Sequence, residues 1–212
     1  MRISLVFCLW MIFCGCLFSQ TQNAHFNFIS THFERIELPA TIDCRDVITE
    51  VNPGFEFVEY LDSFPYYSDS THRLTQAEFD FLFQSEDTLY LHNIWSLIPC
   101  CEKSREDFFD SFLLYPGSYL RIAPYVMGFV LWVVDDDGIE KVLYTMDADG
   151  QIIDKLPLAF YHRHGSYTEE DGSRGIWWTT KNAEIRQDLS VKTDAGHHND
   201  FQIQRDGKIE EI

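Results

Sequence analysis

In the second half of the chain, short apolar segments alternate with acidic breaks that contain Gly. The breaks are DDDG at 135–138, DADG at 147–150, DG at 171–172, DAG at 194–196 and DG at 206–207. Each places Gly where a tight turn needs a positive φ angle. The segments between them predict strands at 127–134, 141–146, 151–160, 175–180, 184–193, 200–204 and 208–212. We therefore predict a mainly β (α+β) fold, with an antiparallel meander forming a curled sheet, an open barrel or a sandwich.

The segment from Tyr125 to Val134 (YVMGFVLWVV) is apolar at nearly every position and does not alternate. An antiparallel sheet normally leaves one face in water, so this strand is predicted to be central and covered on both faces. Helical pieces from the first half of the chain are the expected cover. A partner subunit is the alternative.

The first half of the chain has a mixed pattern that predicts a few short helices. Phe26, Phe28 and residues 36–38 suggest short extended pieces that end at Pro39. Thr75 and Glu78 have the spacing of a capping box, in which each side chain bonds the other's backbone amide. A helix at about 76–83 is predicted to follow, with Phe79, Leu82 and Phe83 on one face.

A second helix is predicted to open at Ser104 and to bury Phe108, Phe112 and Leu113. Pro116 and Gly117 would end it. The chain shows no internal repeat and no Gly-, Pro- or Ser-rich linker. We therefore predict one globular domain over 20–212, with a helical or irregular cover at 20–116 and the β-meander at 117–212.

The N-terminus has the pattern of a signal peptide at residues 1–19. Arg2 precedes an apolar run that turns polar after Phe18. This run is shorter than the roughly 20 apolar residues that cross a bilayer. Cleavage after Ser19 would give a soluble product, whereas the Phe13-Cys-Gly-Cys16 segment is similar to a lipobox that would place lipid on Cys16. Either outcome predicts an exported protein of the periplasm, the cell envelope or the extracellular space.

The chain carries 34 acidic and 16 basic residues, a formal net charge of −18. Such a field repels phosphate backbones and anionic headgroups, so we predict no nucleic acid partner and no membrane contact except through a lipid on Cys16. Solubility explains the charge equally well. An acidic inhibitor or immunity-type protein for a basic partner also fits it.

Three cysteines lie beyond the signal region: Cys44, Cys100 and Cys101. An oxidising compartment favours a disulfide between Cys44 and one of the adjacent pair. In the chain-entropy model, closing so long a loop would stabilise the fold by roughly 4 kcal/mol. A redox or metal role is the alternative, although no CxxC spacing supports it.

The segments LYTMDADGQIID (143–154) and FQIQRDGK (201–208), with Leu156 and Leu158 between them, carry a family resemblance. They resemble small exported proteins and lipoproteins of Bacteroidota. The resemblance covers the C-terminal meander and rests on its turns. It implies an envelope location and a β-rich fold, and it implies no activity.

Five residues are candidate metal ligands. His162 and His164 would share one face of a strand. His197, His198 and Asp200 lie near a turn further along the chain. If these groups converge they could hold zinc, although separate surface histidines are the simpler interpretation. We predict no resident cofactor.

An aromatic platform for a sugar or a peptide is the second candidate site. Its members would be Trp177 and Trp178 together with Tyr161 and Tyr167. Adjacent residues on a strand point to opposite faces, so only one of the two tryptophans could be exposed. The predicted loop at 163–174 beside them is a suitable place for binding residues.

No GxSxG, HExxH or GxxxxGK[ST] motif is present. The sequence therefore favours a non-catalytic binding protein for an unknown protein or small-molecule ligand. A small metal-dependent hydrolase that uses the histidine cluster is the alternative, and the inhibitor class is the third.

Overall fold

The computed structural model describes residues 24–44, 73–92, 99–134, 138–168, 174–194 and 200–212. These residues form the helices α1 (Ala24–His32), α2 (Gln76–Leu82) and α3 (Arg105–Ser111). The strands are β1 (Glu34–Arg35), β2 (Ala40–Ile42), β3 (Thr88–His92), β4 (Pro99–Ser104), β5 (Leu113–Ala123), β6 (Val126–Val134), β7 (Gly138–Asp147), β8 (Ile152–Thr168), β9 (Arg174–Lys181), β10 (Ala183–Ile185), β11 (Ser190–Thr193), β12 (Asp200–Ile203) and β13 (Ile209–Glu211).

The strands form two main sheets and a small hairpin. The six-stranded sheet has the order β1-β5-β6-β7-β8-β9, and the five-stranded sheet has the order β13-β12-β11-β10-β2. All pairings are antiparallel except the short parallel contact of β1 with β5. Strands β3 and β4 form the hairpin. The predicted mainly β fold with an antiparallel meander is confirmed, and the strands do not close into a barrel.

Two hydrophobic cores lie on opposite faces of the six-stranded sheet. The first contains side chains of both main sheets, such as Leu143 of β7 and Ile185 of β10, each 0% exposed. The second lies under the helices and is rich in aromatic rings, including Phe79 of α2 and Phe108 of α3. The two main sheets therefore pack face to face as a sandwich, and the helices cover the outer face of one sheet.

Strand β6 has the central position that its apolar pattern predicts. It pairs with β5 on one side and β7 on the other. Phe129 and Leu131 contribute to the core under the helices, whereas Val130 and Val134 contribute to the core between the sheets. Coverage on both faces is thus confirmed. The helices supply only one of the covers, because the five-stranded sheet supplies the other.

Helix α2 begins where its capping box predicts. The Thr75 hydroxyl accepts from the Glu78 amide at 3.4 Å, and the Glu78 carboxylate accepts from the Thr75 amide at 2.8 Å. Phe79 and Leu82 are fully buried on the inner face of the helix. The capping box in the sequence therefore predicts the start of α2 correctly.

Two predictions for the first half were wrong. Phe26 and Phe28 lie on helix α1 and not on an extended segment. The helical turn places Phe26 and Ile29 together in the core. An F-x-F pattern by itself does not exclude a helix. Ser104 does cap α3, but the helix ends at Ser111. Pro116 and Gly117 lie inside β5, at a register shift where β1 does not pair with them. Pro116 is still opposite Leu131 of β6, and Pro within a sheet is found mainly at edge strands and at such irregularities.

The meander differs from its prediction at two places. Strand β8 runs on to Thr168, through half of the predicted loop at 163–174, because β9 pairs with it there. The predicted strand at 184–193 is divided into β10 and β11 by a tight turn. In that turn Leu189 has a positive φ of 66° and its amide donates to the Arg186 carbonyl at 2.9 Å.

Candidate functional site

A pocket of about 420 Å³ opens between the two main sheets. Its volume lies in the range of small-molecule sites. Strand β2 and the residue after it form one wall, and β5, β6 and β7 form the other. The lining residues are His32, Glu34, Thr41, Ile42, Asp43, Tyr115, Pro116, Gly117, Ser118, Val130, Trp132 and Lys141.

The register of three strands places an aromatic pair and a lysine side by side in this pocket. Tyr115 of β5 is directly opposite Trp132 of β6, and Trp132 is directly opposite Lys141 of β7. Direct cross-strand partners point to the same face of a sheet. The three side chains therefore form one row that faces the five-stranded sheet.

Lys141 is the buried charge of the pocket. It is only 5% exposed, in a strand that is buried over nearly its whole length. The ammonium donates to the backbone carbonyl of Asp43 and lies 3.9 Å from the centroid of the Trp132 ring. A carbonyl oxygen and the negative face of an indole both stabilise a cation. The geometry thus fixes a positive charge at the base of the pocket.

Gly117 allows Trp132 to occupy this position. A Cβ at residue 117 would lie 2.6 Å from the Trp132 Nε1 and 2.7 Å from the carbonyl oxygen of Val130. Both distances are too short for a real contact, and one of them involves backbone. Any larger residue would therefore displace the indole that supports Lys141.

The rim of the pocket has the opposite charge. Glu34 and Thr41 are exposed, and Asp43 is half-buried. His32 also lies at the rim, where its Nε2 is 3.5 Å from a carboxylate oxygen of Glu78, outside the pocket. The pocket therefore has a cationic base and an acidic rim.

Of the five predicted metal ligands, the structure describes the side chains of His162 and Asp200. His162 is half-buried, with its ring 6.0 Å from that of Phe160. His164 lies at a bulge of β8, where it has no register partner in β9. Asp200 is the first residue of β12. His197 and His198 lie outside the described residues. Among the residues the structure describes, no group of three His, Cys, Asp or Glu side chains is arranged to hold a metal ion. The complete five-residue site stays a prediction.

The predicted aromatic platform loses one member. Tyr161 is 3% exposed and packs in the core between the sheets, so its ring is not available to a surface ligand. Its position opposite Ile139 on the inner face of the sheet is the reason. Tyr167 lies in β8, and Trp177 and Trp178 lie in β9, opposite Gly165 and Arg163. For Tyr167, Trp177 and Trp178, membership of an aromatic binding platform stays a prediction.

Cys44 lies in a different part of the chain from the adjacent pair Cys100 and Cys101. Cys44 follows β2 and is 0% exposed, whereas Cys100 and Cys101 lie in β4. The predicted disulfide stays a prediction, and Cys16, the predicted lipid site, lies outside the described residues.

Buried charge also occurs on the opposite face of the six-stranded sheet. Lys181 is 0% exposed and donates to the Pro157 carbonyl at 2.9 Å. Burial lowers the pKa of Lys181 to about 8, against the attraction of Glu140 and Asp194. Burial also lowers the pKa of Lys155 to about 8, with Glu86 the largest opposing influence. Neither lysine lines the pocket between the sheets, and Lys155 is half-buried rather than buried.

Sequence reasoning missed the pocket between the sheets. The available signal was Lys141 at the start of the predicted strand 141–146, since a charge in a buried strand needs partners. The partner elements could not be identified from spacing. Residues 41–43 reach the pocket only because β2 pairs with β10, far along the chain.

Comparison with known proteins gave no relative. No known protein family matches the chain, and no curated protein or solved structure shows significant similarity to it. None of the helices in the described ranges is long and apolar enough to cross a membrane. The function must therefore be argued from the geometry of the chain itself.

Proposed function

We propose that this chain is an exported, non-catalytic binding protein that holds a small polar ligand between its two sheets. The observation that carries the proposal is the pocket of about 420 Å³ with a single buried lysine fixed at its base. Ligand sites of this kind combine an apolar wall with a few placed polar groups. Ile42, Tyr115 and Val130 supply the apolar wall, and Lys141 supplies the placed charge.

The contacts of Lys141 favour binding over catalysis. A ring face and a carbonyl oxygen are suitable partners for an ammonium, whereas a lysine nucleophile must lose its proton. The sequence also lacks the common hydrolase motifs. Lys141 therefore acts in this proposal as a fixed positive charge that orients a ligand.

The N-terminal segment supports export. Its single Arg and apolar run fit a secretion signal, and the resemblance of the meander to envelope proteins agrees with this. In the periplasm or outside the cell, the chain would bind its ligand in the pocket between its two sheets.

Filling the pocket tests the binding function. Ser118 lines the pocket from β5, and a Ser118→Trp variant would occupy the space in front of Lys141. Ser30→Trp, at an exposed position of α1, makes the same substitution away from the pocket. A library of small polar fragments is screened by ligand-observed NMR against the purified chain and both variants.

We expect some fragments to bind the unmodified chain and the Ser30→Trp variant but not the Ser118→Trp variant. Far-UV circular dichroism checks that both variants are folded. The proposal would be overturned if no fragment binds, or if binding survives in Ser118→Trp.

A further inference from the structure

We infer that His25 is a pH-sensitive latch on the segment made of α1 and β1, and that its protonation in acid loosens this segment from the wall of the pocket between the sheets. The latch would regulate that pocket, and only this regulatory meaning rests on the proposed binding function. It follows from the surroundings of the His25 ring and from the path of the chain between His25 and the pocket.

The His25 ring is buried in surroundings that suit its neutral form. It is 5% exposed, stacks on the Phe81 ring of α2 and packs against Gly150 in the turn between β7 and β8. Its Nε2 lies 3.2 Å from the Phe81 carbonyl oxygen and 3.1 Å from the side-chain nitrogen of Gln84. Its Nδ1 is buried and has no hydrogen-bond partner among the described residues. A neutral ring carries one N–H, which can donate to the Phe81 carbonyl and leave Nδ1 without a proton.

Protonation would give the His25 ring a second N–H, at Nδ1, where it would be buried without an acceptor. Burial lowers the pKa of His25 below its usual 6.5, and neither the Phe81 carbonyl nor Asp147 offsets this. Asp147 is the charged group that attracts the protonated ring, but its Oδ1 already accepts from the amides of Asp149 and Gln151 at 2.9 Å. Acid therefore favours an arrangement in which the His25 ring reaches water.

The segment that His25 holds continues directly into the wall of the pocket. Helix α1 ends at His32 and β1 begins at Glu34, and both of these residues line the pocket. Strand β1 is only two residues long. Its parallel pairing with β5 is extended by the Ile36 amide, which donates to the Tyr119 carbonyl at 2.8 Å. Movement of α1 is therefore transmitted to the pocket wall through a short strand.

The apolar side chains of α1 limit how often the segment is released. Phe26 and Ile29, together with Phe33 just after the helix, are buried in the core under the helices. They must leave this core when the segment moves, so the released state is a minor one at neutral pH. A larger minor population in acid would speed the entry and exit of a ligand, even where the pocket is closed most of the time.

A second histidine acts in the opposite direction at the other end of α1. His32 Nε2 lies 3.5 Å from a carboxylate oxygen of Glu78 in α2, and protonation of His32 would strengthen this contact. Both side chains are partly exposed, and ion pairs in contact with water contribute little to stability. The buried ring of His25 therefore decides the direction of the effect.

Hydrogen exchange of two amides measures the latch without any ligand. The Phe33 amide donates to the Ile29 carbonyl at the end of α1, and the Ile36 amide reports on the pairing of β1. Their protection factors are measured by NMR on the purified chain at about pH 7.5 and about pH 5, relative to an unstructured chain at the same pH. One proton changes the opening equilibrium by at most about tenfold for each pH unit below 6.5. We therefore expect both protection factors to fall about three- to thirtyfold in acid.

Substitutions of two histidines assign the effect. His25→Gln and His25→Phe both remove the titrating group, and His25→Phe keeps a ring that can stack on Phe81. In both variants the fall in acid should shrink to less than about twofold. His162→Gln is the matched control, because His162 is opposite Gly138, at the far end of the β7–β8 pair from Gly150. This control should keep the full fall.

The outcomes distinguish the latch from the binding function. Protection factors that do not change with pH, or a fall that persists in a folded His25 variant, would overturn the latch and leave the binding function untouched. If the Phe33 amide alone loses protection, His25 holds the helix without acting on the pocket wall, and the inference is also wrong.

Local release must also be separated from unfolding of the whole chain. The Ile203 amide, which donates to the Leu189 carbonyl at 3.1 Å in the five-stranded sheet, should stay better protected than the Phe33 and Ile36 amides at both pH values. Equal protection of all three would mean that no separate segment opens, and would overturn the latch. If the latch behaves as expected while no fragment binds in the pocket, the latch stands and the binding function fails.

Discussion

The imidazole ring of His25 packs directly against Gly150 in the turn between β7 and β8. Gly150 has a φ of +83°, and a Cβ there would lie 2.6 Å from the His25 Nδ1. The His25 ring also stacks on the ring of Phe81 in α2, with the two ring centroids 4.2 Å apart. One histidine thus joins two helices to a hairpin turn of the main sheet.

Gly150→Ala is expected to be more destabilising than Gly207→Ala. Both glycines have positive φ, which costs an alanine about 1–2 kcal/mol. At residue 207 the added methyl would meet the flexible end of Ile153, whereas at residue 150 it would overlap the rigid His25 ring. Overpacking adds about 1–3 kcal/mol to the cost at Gly150. Urea unfolding of the two variants measures the difference, and equal losses would contradict the role of His25.

Acidification is expected to destabilise the fold through His25. Burial lowers the pKa of His25 below its usual 6.5, and the Phe81 carbonyl and Asp147 oppose this only in part. As the pH falls below 6.5 the unfolded chain takes up this proton before the folded chain does, so the free energy of unfolding decreases. His25→Gln should flatten this part of the profile. A variant profile parallel to that of the unmodified chain would refute the assignment.

Alkaline pH is expected to stabilise the fold through Lys181. Its pKa is about 8 in the folded chain and 10.5 in the unfolded one, so the unfolded chain holds this proton longer as the pH rises. The free energy of unfolding should therefore increase between pH 8 and 10.5, by about 3 kcal/mol for a shift of this size.

Paired substitution isolates the contribution of Lys181. Lys181→Met alone would remove one attracting charge from Glu140, which is only 3% exposed, so Lys181→Met is combined with Glu140→Gln. The double variant should lose the share of the rise above pH 8 that Lys181 contributes, while the share from Lys155 remains, as measured by urea unfolding at fixed salt. Lys155 is present in both proteins and cancels in the comparison. An unchanged rise would assign the effect to Lys155 instead.

Export predicts a shortened or lipidated N-terminus. When the chain is expressed in a bacterial host, mass spectrometry should show cleavage after Ser19 or a lipid-modified chain that begins at Cys16. Cys16→Ser separates the two outcomes, because it abolishes membrane attachment only in the lipidated case. Recovery of the intact chain from the cytoplasm would refute the signal peptide.

The sequence by itself determined the local features of this protein. The DADG turn at Gly150, the capping box at Thr75 and the unbroken apolar run of β6 act within a few residues, so their structural consequences follow from nearby side chains and backbone angles. For this reason the mainly β class, the approximate strand positions from β6 onwards and the two-sided burial of β6 could be predicted, whereas β5 was missed.

Only the tertiary structure decided which strands meet. The pairing of β2 with β10 joins residues more than 140 positions apart, and the parallel contact of β1 with β5 has no turn to mark it. Such contacts form because apolar faces must be buried together, and many arrangements satisfy the same apolar pattern. The pocket that Lys141 shares with β2 depends on these long-range pairings, which is why the candidate site could not be found from the sequence.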